Sequence, residues 1–157
     1  MTTHLEDLLA RLVLMQQAAM PGSDAVPVSV YTQEATPFWI NQVDGYTVEL
    51  ESESQQIITY TITMTLVLAA TTEGFEQQAE RQIHAWLPVI LQYFGQRRQL
   101  KRTSADSAVP FLHPRGAFIT GGKADYGITV SGIGQTMFGI DFRTDVPMWQ
   151  ETDQVIF

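Results

Sequence analysis

The chain lacks cysteine altogether, and it has few charged residues. Without cysteine among its 157 residues, it can form neither a disulfide framework nor a thiolate metal site. Charged residues make up 17% of the sequence, against about 25% in an average soluble domain. Depletion of charge is typical of protein surfaces that are covered by a partner. The composition therefore favours a globular subunit and excludes the small disulfide-rich secreted class.

A long uninterrupted apolar run is also missing from the start of the chain. The first 17 residues carry Glu6, Asp7 and Arg11 inside their apolar pattern, which fits neither a signal peptide nor a membrane span. We therefore expect a soluble protein with no membrane partner, assembled inside the cell. The length indicates one domain, residues 1–157, which can bury about two-thirds of its unfolded surface.

The clearest structural signal is the alternation between residues 57 and 69. Apolar side chains occupy every second position, and threonines, among them Thr61, Thr63 and Thr65, occupy the positions between. Residues two apart on a strand share a face, so this segment predicts a long strand with one apolar face and one hydroxyl face. We expect residues 46–51 to pair with it antiparallel, after a hairpin turn at Asp44-Gly45.

Two amphipathic helices are predicted on either side of these strands. Thr3 and Glu6 form a capping-box pattern before apolar residues at helical spacing, which predicts a helix over 4–19. A second helix over 72–94 begins with Thr71 or Thr72 as its cap, and Pro88 should kink or split it. The core is expected where the long strand meets this helix, and its predicted members are Leu66, Leu68, Ile83, Trp86, Leu87 and Ile90.

Short strands are predicted elsewhere. A strand at 26–31 follows the first helix, and strands at 117–120, 126–131 and 136–142 are separated by turns at Gly121-Gly122 and at 132–134. Residues 144–157 mix apolar and polar side chains, which predicts a segment that docks either on its own domain or on a neighbouring subunit or partner. The resulting fold class is α+β, a mainly antiparallel sheet flanked by two amphipathic helices.

The net charge of −8 is unevenly distributed along the chain. Residues 1–80 hold eleven acidic residues and one basic residue, a net −10, whereas residues 81–157 have a net +2. Four cations lie close together after the second helix: Arg97, Arg98, Lys101 and Arg102. They are either a solvated helix end or a patch that meets an acidic face on the next copy, a head-to-tail contact that closes into rings. Sequence-specific binding of nucleic acid is disfavoured by the negative net charge.

No motif for catalysis or for a cofactor is complete. The three histidines lie far apart in different kinds of segment: His4, His84 and His113. Gly121-Gly122-Lys123 lacks the rest of a phosphate loop, and 132–137 lacks the last glycine of a dinucleotide fingerprint. Three glutamates alternate on one exposed face without an apolar pocket to raise their pKa: Glu49, Glu51 and Glu53. We therefore expect no enzyme, no metal and no cofactor.

The aromatic residues leave two interpretations open. Four of them could line a ligand pocket, or they could be anchors in the core or in a subunit interface: Phe38, Trp39, Trp86 and Trp149. Trp149 and Phe157 also belong to the predicted docking segment. The surfaces proposed for contact between subunits are therefore the basic cluster, the threonine face and these two aromatic residues.

The order of these pieces resembles the tail terminator, or tail-completion, proteins of long-tailed bacteriophages. The resemblance lies in Pro-Phe-Trp at 37–39, the alternating strand at 60–69, and the helix at 72–88 with its Trp-Leu-Pro. It implies a small α+β fold that assembles into a six-fold ring on the last ring of the tail tube. The final strands and the docking segment show nothing that is specific to that family.

In that family the ring stops tube growth and presents the face that joins the head connector. The resemblance thus implies a virion protein of the tail or neck, assembled in the host cytoplasm. Its partners would be copies of itself, the tail-tube protein and the head–tail connector protein, with DNA passing through the lumen. It transfers no catalytic residues. Two alternatives stay open: a small-ligand-binding α+β domain, and another structural subunit of the phage neck or tail.

Overall fold

A computed structural model describes residues 3–29, 36–130 and 134–151. These residues form two helices and five strands: α1 (His4–Ala19), β1 (Asp24–Ala25), β2 (Phe38–Leu50), β3 (Gln55–Ala70), α2 (Glu76–Gly95), β4 (Phe118–Thr129) and β5 (Thr136–Glu151). The strands make one sheet in the order β1-β2-β3-β5-β4. The α+β class is confirmed, and every strand pair is antiparallel except β1 with β2, which is parallel.

Helix α1 begins as the sequence predicts. The Thr3 hydroxyl accepts a hydrogen bond from the Glu6 backbone N–H at 3.2 Å, and the Glu6 carboxylate accepts one from the Thr3 N–H at 2.9 Å. This reciprocal pair satisfies two backbone donors that the first helical turn leaves open. The helix then buries a stripe of side chains against the sheet: Leu8, Leu12, Met15, Gln16 and Ala19.

Helix α2 differs from the prediction at its start. It begins at Glu76, and neither predicted threonine caps it. The Thr71 hydroxyl instead donates to the Thr136 carbonyl at 3.0 Å, because the chain here still runs beside β5. The helix continues through Pro88 without being split, since the proline removes only one of its backbone donors.

The predicted core is confirmed at four of its six positions. Leu66, Leu68, Ile83 and Ile90 are buried, but Trp86 and Leu87 are only partly buried. Ile83 and Ile90 lie two helical turns apart and face the sheet directly. Trp86 and Leu87 lie on the flank of that stripe and pack against the edge of the core.

The sheet has two different faces. Its helix face packs against α1 and α2 and carries the alternating apolar residues of β3, including Ile62, Met64 and Leu66. Its outer face carries the threonines of β3. One end of the outer face has a second, smaller apolar cluster that is separate from the main core: Phe38, Val67, Ile128, Val130 and Met137.

Two predicted turns lie inside strands. The Asp44-Gly45 pair is not a hairpin turn, because β2 runs through it to Leu50 with a bulge between Val43 and Gly45. The Gly121-Gly122 pair lies within β4, where the pairing with β5 shifts between Ile119 and Gly121. In both places a bulge lets the strand keep its neighbour although one residue is out of step.

Two further strand predictions need correction. The short strand expected at 26–31 is β1, which occupies Asp24–Ala25 instead. Pro27 has no N–H to continue the ladder, although Val26 N–H still reaches the Trp39 carbonyl at 3.1 Å. The strand expected at 136–142 continues to Glu151 as β5, so residues 144–151 of the expected docking segment are part of this strand and pair with β3 of their own domain. Residues 30–31 and 152–157 lie outside the described residues, as do 131, the last residue of the strand predicted at 126–131, and 132–133 of the turn predicted at 132–134.

Candidate assembly interface

In the part of the chain that the structure describes, β2 beyond β1 forms an open edge of the sheet. Hydrogen bonds from the β1 side reach β2 as far as Asn41, whose N–H donates to the Val28 carbonyl at 3.1 Å. From residue 42 to residue 50, β2 is paired with β3 on one side, and within the described ranges no strand pairs on its other side. We call residues 42–50 the β2 edge. Unpaired strand edges of this length are templates for pairing with another chain.

The β2 edge exposes an unusual amount of apolar surface. Tyr46 is 69% exposed, Val48 51% and Leu50 74%. These three residues pair with Tyr60, Ile58 and Gln56 of β3, so they lie on the helix face, beyond the region that the helices cover. We call Tyr46, Val48 and Leu50 the apolar stripe. Contiguous exposed apolar residues of this kind mark interaction sites more often than free surface.

The opposite edge of the sheet is β4, which we call the β4 edge. Within the described ranges β4 pairs only with β5. On its helix face Gly122 and Ala124 lie opposite Phe142 and Ile140 of β5, so this edge presents very little side chain there. A Cβ atom on Gly122 would lie 1.9 Å from the Asp141 carbonyl oxygen, and the position therefore requires glycine.

A groove lies between this strand and α2. Leu87 and Leu91 of the helix overhang the small residues of β4, and the space between them has a volume of about 230 Å³. Ile140 and Phe142 form its floor, and its exposed lining is mainly apolar. We call this space the groove. It opens on the helix face, next to the β4 edge.

The basic cluster is divided between internal and outward contacts. The Arg97 guanidinium lies 4.0 Å from the centre of the Tyr93 ring, and Arg102 holds Asp106 through two hydrogen bonds of 2.9 and 2.8 Å. The hydrogen bond from Arg102 keeps the pKa of Asp106 well below its ordinary value. Both guanidinium groups therefore make contacts within the chain, Arg97 with the end of α2 and Arg102 with the loop that follows it. Lys101 is partly buried there.

Arg98 has a different position. Its guanidinium lies 5.3 Å from the centre of the Phe118 ring, and its backbone carbonyl accepts a hydrogen bond from the Ala117 N–H at 2.7 Å. Phe118 is the first residue of β4. Arg98 of the cluster is thus an exposed cation at the start of the β4 edge. The sequence alone could not indicate this position.

The threonine face is largely engaged within the chain. Thr61 donates to Asp145 at 3.3 Å, Thr65 donates to Asp141 at 2.8 Å, and Thr63 donates to Asp44. Burial raises the pKa of Asp141. Thr65 is buried, and Thr61 and Thr63 are partly exposed. Because these hydroxyls already have acceptors, this face offers fewer free donors than the sequence suggests.

Trp149 is held within the sheet. Its indole N–H donates to Glu51 at 2.7 Å, and its ring meets the His113 ring edge-on with centres 5.0 Å apart. Its backbone N–H donates to the Phe111 carbonyl at 2.7 Å. Phe157, the other aromatic residue proposed for contact, lies outside the described residues.

The aromatic residues do not form one pocket. Phe38 and Trp39 are neighbours on β2, so they point to opposite faces, and both are fully buried, in different clusters. Trp86 packs on the flank of α2, and Trp149 lies on β5. Within the described part of the chain, no group of three or more histidines and carboxylates could hold a metal ion.

Comparison with known proteins does not identify the family of this chain. No protein-family model and no curated protein matches the chain. In the described ranges, no helix is both long and apolar enough to cross a membrane. The functional assignment therefore depends on the two sheet edges and on the resemblance described above.

Proposed function

We propose that this chain is a structural virion protein whose copies form a ring on the end of a phage tail tube. The ring stops elongation of the tube and joins it to the head connector. The protein is accordingly located in the tail or neck of the virion and is assembled in the host cytoplasm. Its partners are copies of itself, the tail-tube protein and the connector protein, and it needs no cofactor.

The observation that carries this proposal is the pair of unlike edges on one sheet. The β2 edge presents the apolar stripe on one face and Glu49 on the other, whereas the β4 edge begins beside Arg98. A surface that complements a different surface of the same molecule makes a heterologous contact, and repeated contacts of this kind close into a ring when the rotation permits.

A ring of this kind suits a terminator. All subunits of a cyclic ring point the same way, so its two ends are different surfaces. One end can bind the tube tightly while the other offers no second copy of that binding surface, and growth then stops. The unequal charge of the two halves of the chain supports such an asymmetry.

The direct test removes the gene from the phage that encodes it. We expect tails that are too long, or tails without heads, in electron micrographs of the lysate, and complementation with the intact gene should restore normal particles. Tails of normal length joined to full heads would contradict the proposal.

The purified chain provides a second test. Light scattering after size exclusion should give a mass of about six times the 17.6 kDa of the protomer, at low salt and high protein concentration. A strict monomer that binds a small ligand would favour the alternative of a ligand-binding domain.

A further inference from the structure

We propose that the β2 edge of one copy pairs antiparallel with the β4 edge of the next, and that Tyr46, at the start of its apolar stripe, enters the groove of that neighbour. The occupant of the groove is thus a second copy of this chain. This inference rests on the ring in the proposed function, for which it names the contacting surfaces. Three properties of the two edges agree with it: the faces, the strand directions and the charges.

The faces match. Tyr46, Val48 and Leu50 lie on the helix face of the sheet, and the groove opens on that same face. When a sheet continues from one subunit to the next around a ring, its two faces continue as well. Tyr46 therefore meets the side of the groove formed by α2, where Gly122 leaves room, and the rest of the stripe continues along the same face toward the start of β4.

The strand directions match too. β2 is antiparallel to β3, β3 to β5, and β5 to β4, so β2 and β4 run in opposite directions. Rotation about a ring axis that lies roughly along the strands preserves these directions. The β2 edge of one copy then meets β4 of the next as an antiparallel partner, which is the arrangement of every neighbouring pair from β2 to β4.

The register that we propose between the two edges brings Tyr46 of the β2 edge opposite Gly122 of the β4 edge. Tyr46 pairs with Tyr60 of β3, which pairs with Val146 of β5. Gly122 pairs with Phe142, which is four residues before Val146 on the same strand. A stagger of about four residues, of the kind that tilted strands in a closed sheet require, brings Tyr46 opposite Gly122 of the neighbour. An even stagger also keeps every side chain on its own face.

The same stagger also brings opposite charges of the two edges together. It places Glu49 opposite Phe118 of the next copy, and Arg98 lies over that ring. The Glu49 carboxylate from the β2 edge then meets Arg98, an exposed cation beside the start of the β4 edge. Exposed pairs of this kind are weakened by salt, so they guide the register while the apolar stripe supplies most of the affinity.

Disulfide trapping tests the register directly, because the natural chain has no cysteine. The stagger places Thr47 opposite Gly121, both exposed and on the outer face, and Gly121 has open space for a Cβ. The double variant Thr47→Cys/Gly121→Cys should give a reducible ladder from dimer up to the closed ring. Each single variant should stay uncross-linked, and a mixture of the two should give dimers only.

An out-of-register pair is the control for this experiment. Thr47→Cys with Asp125→Cys keeps the same face and strand but lies too far along β4, and it should cross-link much less. Equal cross-linking by Thr47→Cys alone would show a symmetric contact between two β2 edges and would overturn the proposal. Absence of cross-links in an oligomer of confirmed size would overturn it as well.

Substitution tests the stripe and the charges without cross-linking. Val48→Lys should weaken self-association by about tenfold or more, whereas Leu14→Lys, an exposed apolar residue of α1, should leave it unchanged. Both variants should keep the circular dichroism spectrum of the parent. An equal effect of the two variants, or none, would contradict a role for the stripe.

Charge exchange provides the matching test for the pair. Glu49→Lys and Arg98→Glu should each weaken assembly at low salt, and the double variant should recover it. Arg102→Gln, which breaks only the internal contact with Asp106, should not affect assembly. Failure of the double variant to recover would exclude this pairing.

These results separate the contact from the function. Cross-linked rings together with normal tails in the deletion lysate would support the contact and reject the terminator role. Over-long tails without the Thr47–Gly121 cross-link would support the terminator role and reject the contact.

Discussion

A buried amide pair ties α1 to the sheet, and its removal should be costly. Gln16 Nε2 donates to Asn41 Oδ1 at 2.7 Å, and Asn41 Nδ2 donates back to Gln16 Oε1 at 3.0 Å and to the Val26 carbonyl at 2.9 Å. Gln16 has no exposed surface and Asn41 only 2%. Water therefore cannot replace either partner without a rearrangement of the helix on the sheet.

The magnitude follows from the groups left unpaired. Gln16→Leu keeps an apolar side chain of similar size in the core but leaves the Asn41 oxygen and one N–H without their partner. Each buried unsatisfied group costs about 1–3 kcal/mol, so we expect a loss of about 2–4 kcal/mol in the free energy of unfolding. For a domain of this size, that lowers the melting temperature by roughly 5–15 °C.

Urea denaturation at one fixed protein concentration measures the effect, since oligomers make apparent stability depend on concentration. Asn41→Leu should cost a similar amount, and the double variant should cost about 1–3 kcal/mol less than the sum of the two. Gln17→Leu, the partly exposed neighbour, is the control and should change little. Additivity within about 0.5 kcal/mol would refute the coupling of the two amides.

Four further residues give predictions that thermal or urea unfolding can check. The Thr144 hydroxyl is buried without a hydrogen-bond partner in the described part of the chain, so Thr144→Val should stabilise the fold by about 1 kcal/mol; a loss of stability would point to a bound water. Trp86→Ala should cost less than the roughly 3–5 kcal/mol of a fully buried tryptophan, because Trp86 is only partly buried; an unchanged melting temperature would contradict its packing on the core. Burial raises the pKa of Asp141, so its contribution to stability is present below its ordinary pKa and is lost as the pH rises through the folded value. Asp141→Asn should therefore raise the melting temperature at pH 7. The pKa of Asp106 is lowered by its hydrogen bond with Arg102, so Asp106→Asn should lower the melting temperature at pH 7, and this difference should vanish in acid, as the pH falls through the folded pKa. The same sign for both asparagine variants at pH 7 would refute this reasoning.

Local patterns determined the parts of the fold that depend on neighbours along the chain. The capping box of Thr3 and Glu6 fixed the start of α1, because both partners lie within one helical turn. The alternation in β3 determined which of its residues face the helices, since a strand has a period of two. The antiparallel pairing of β2 with β3 also followed, because only a short polar turn joins the two strands.

The places where prediction from local pattern was wrong share one cause. Asp44-Gly45 and Gly121-Gly122 have the composition of turns, yet both pairs lie inside strands. A strand continues past such residues when a neighbour supplies hydrogen bonds on its flank, and the partners here, Thr61 for Gly45 and Arg143 for Gly121, lie outside the four residues that define a turn pattern. For the same reason residues 144–151 became part of the sheet, because β3 pairs with them on one side, and the start of β4 and the segment 111–113 bond to them on the other.

The candidate interface shows the same division. The sequence alone determined the uneven charge and the alternating side chains of residues 46–51. Only the tertiary structure decided that, among the described residues, β4 and the part of β2 beyond residue 41 are the open edges of the sheet. It also decided that the apolar stripe is exposed and that Arg98 lies at the start of β4. The physical reason is that alternation specifies the face on which a side chain lies, whereas strand order and burial depend on contacts between segments distant in the chain.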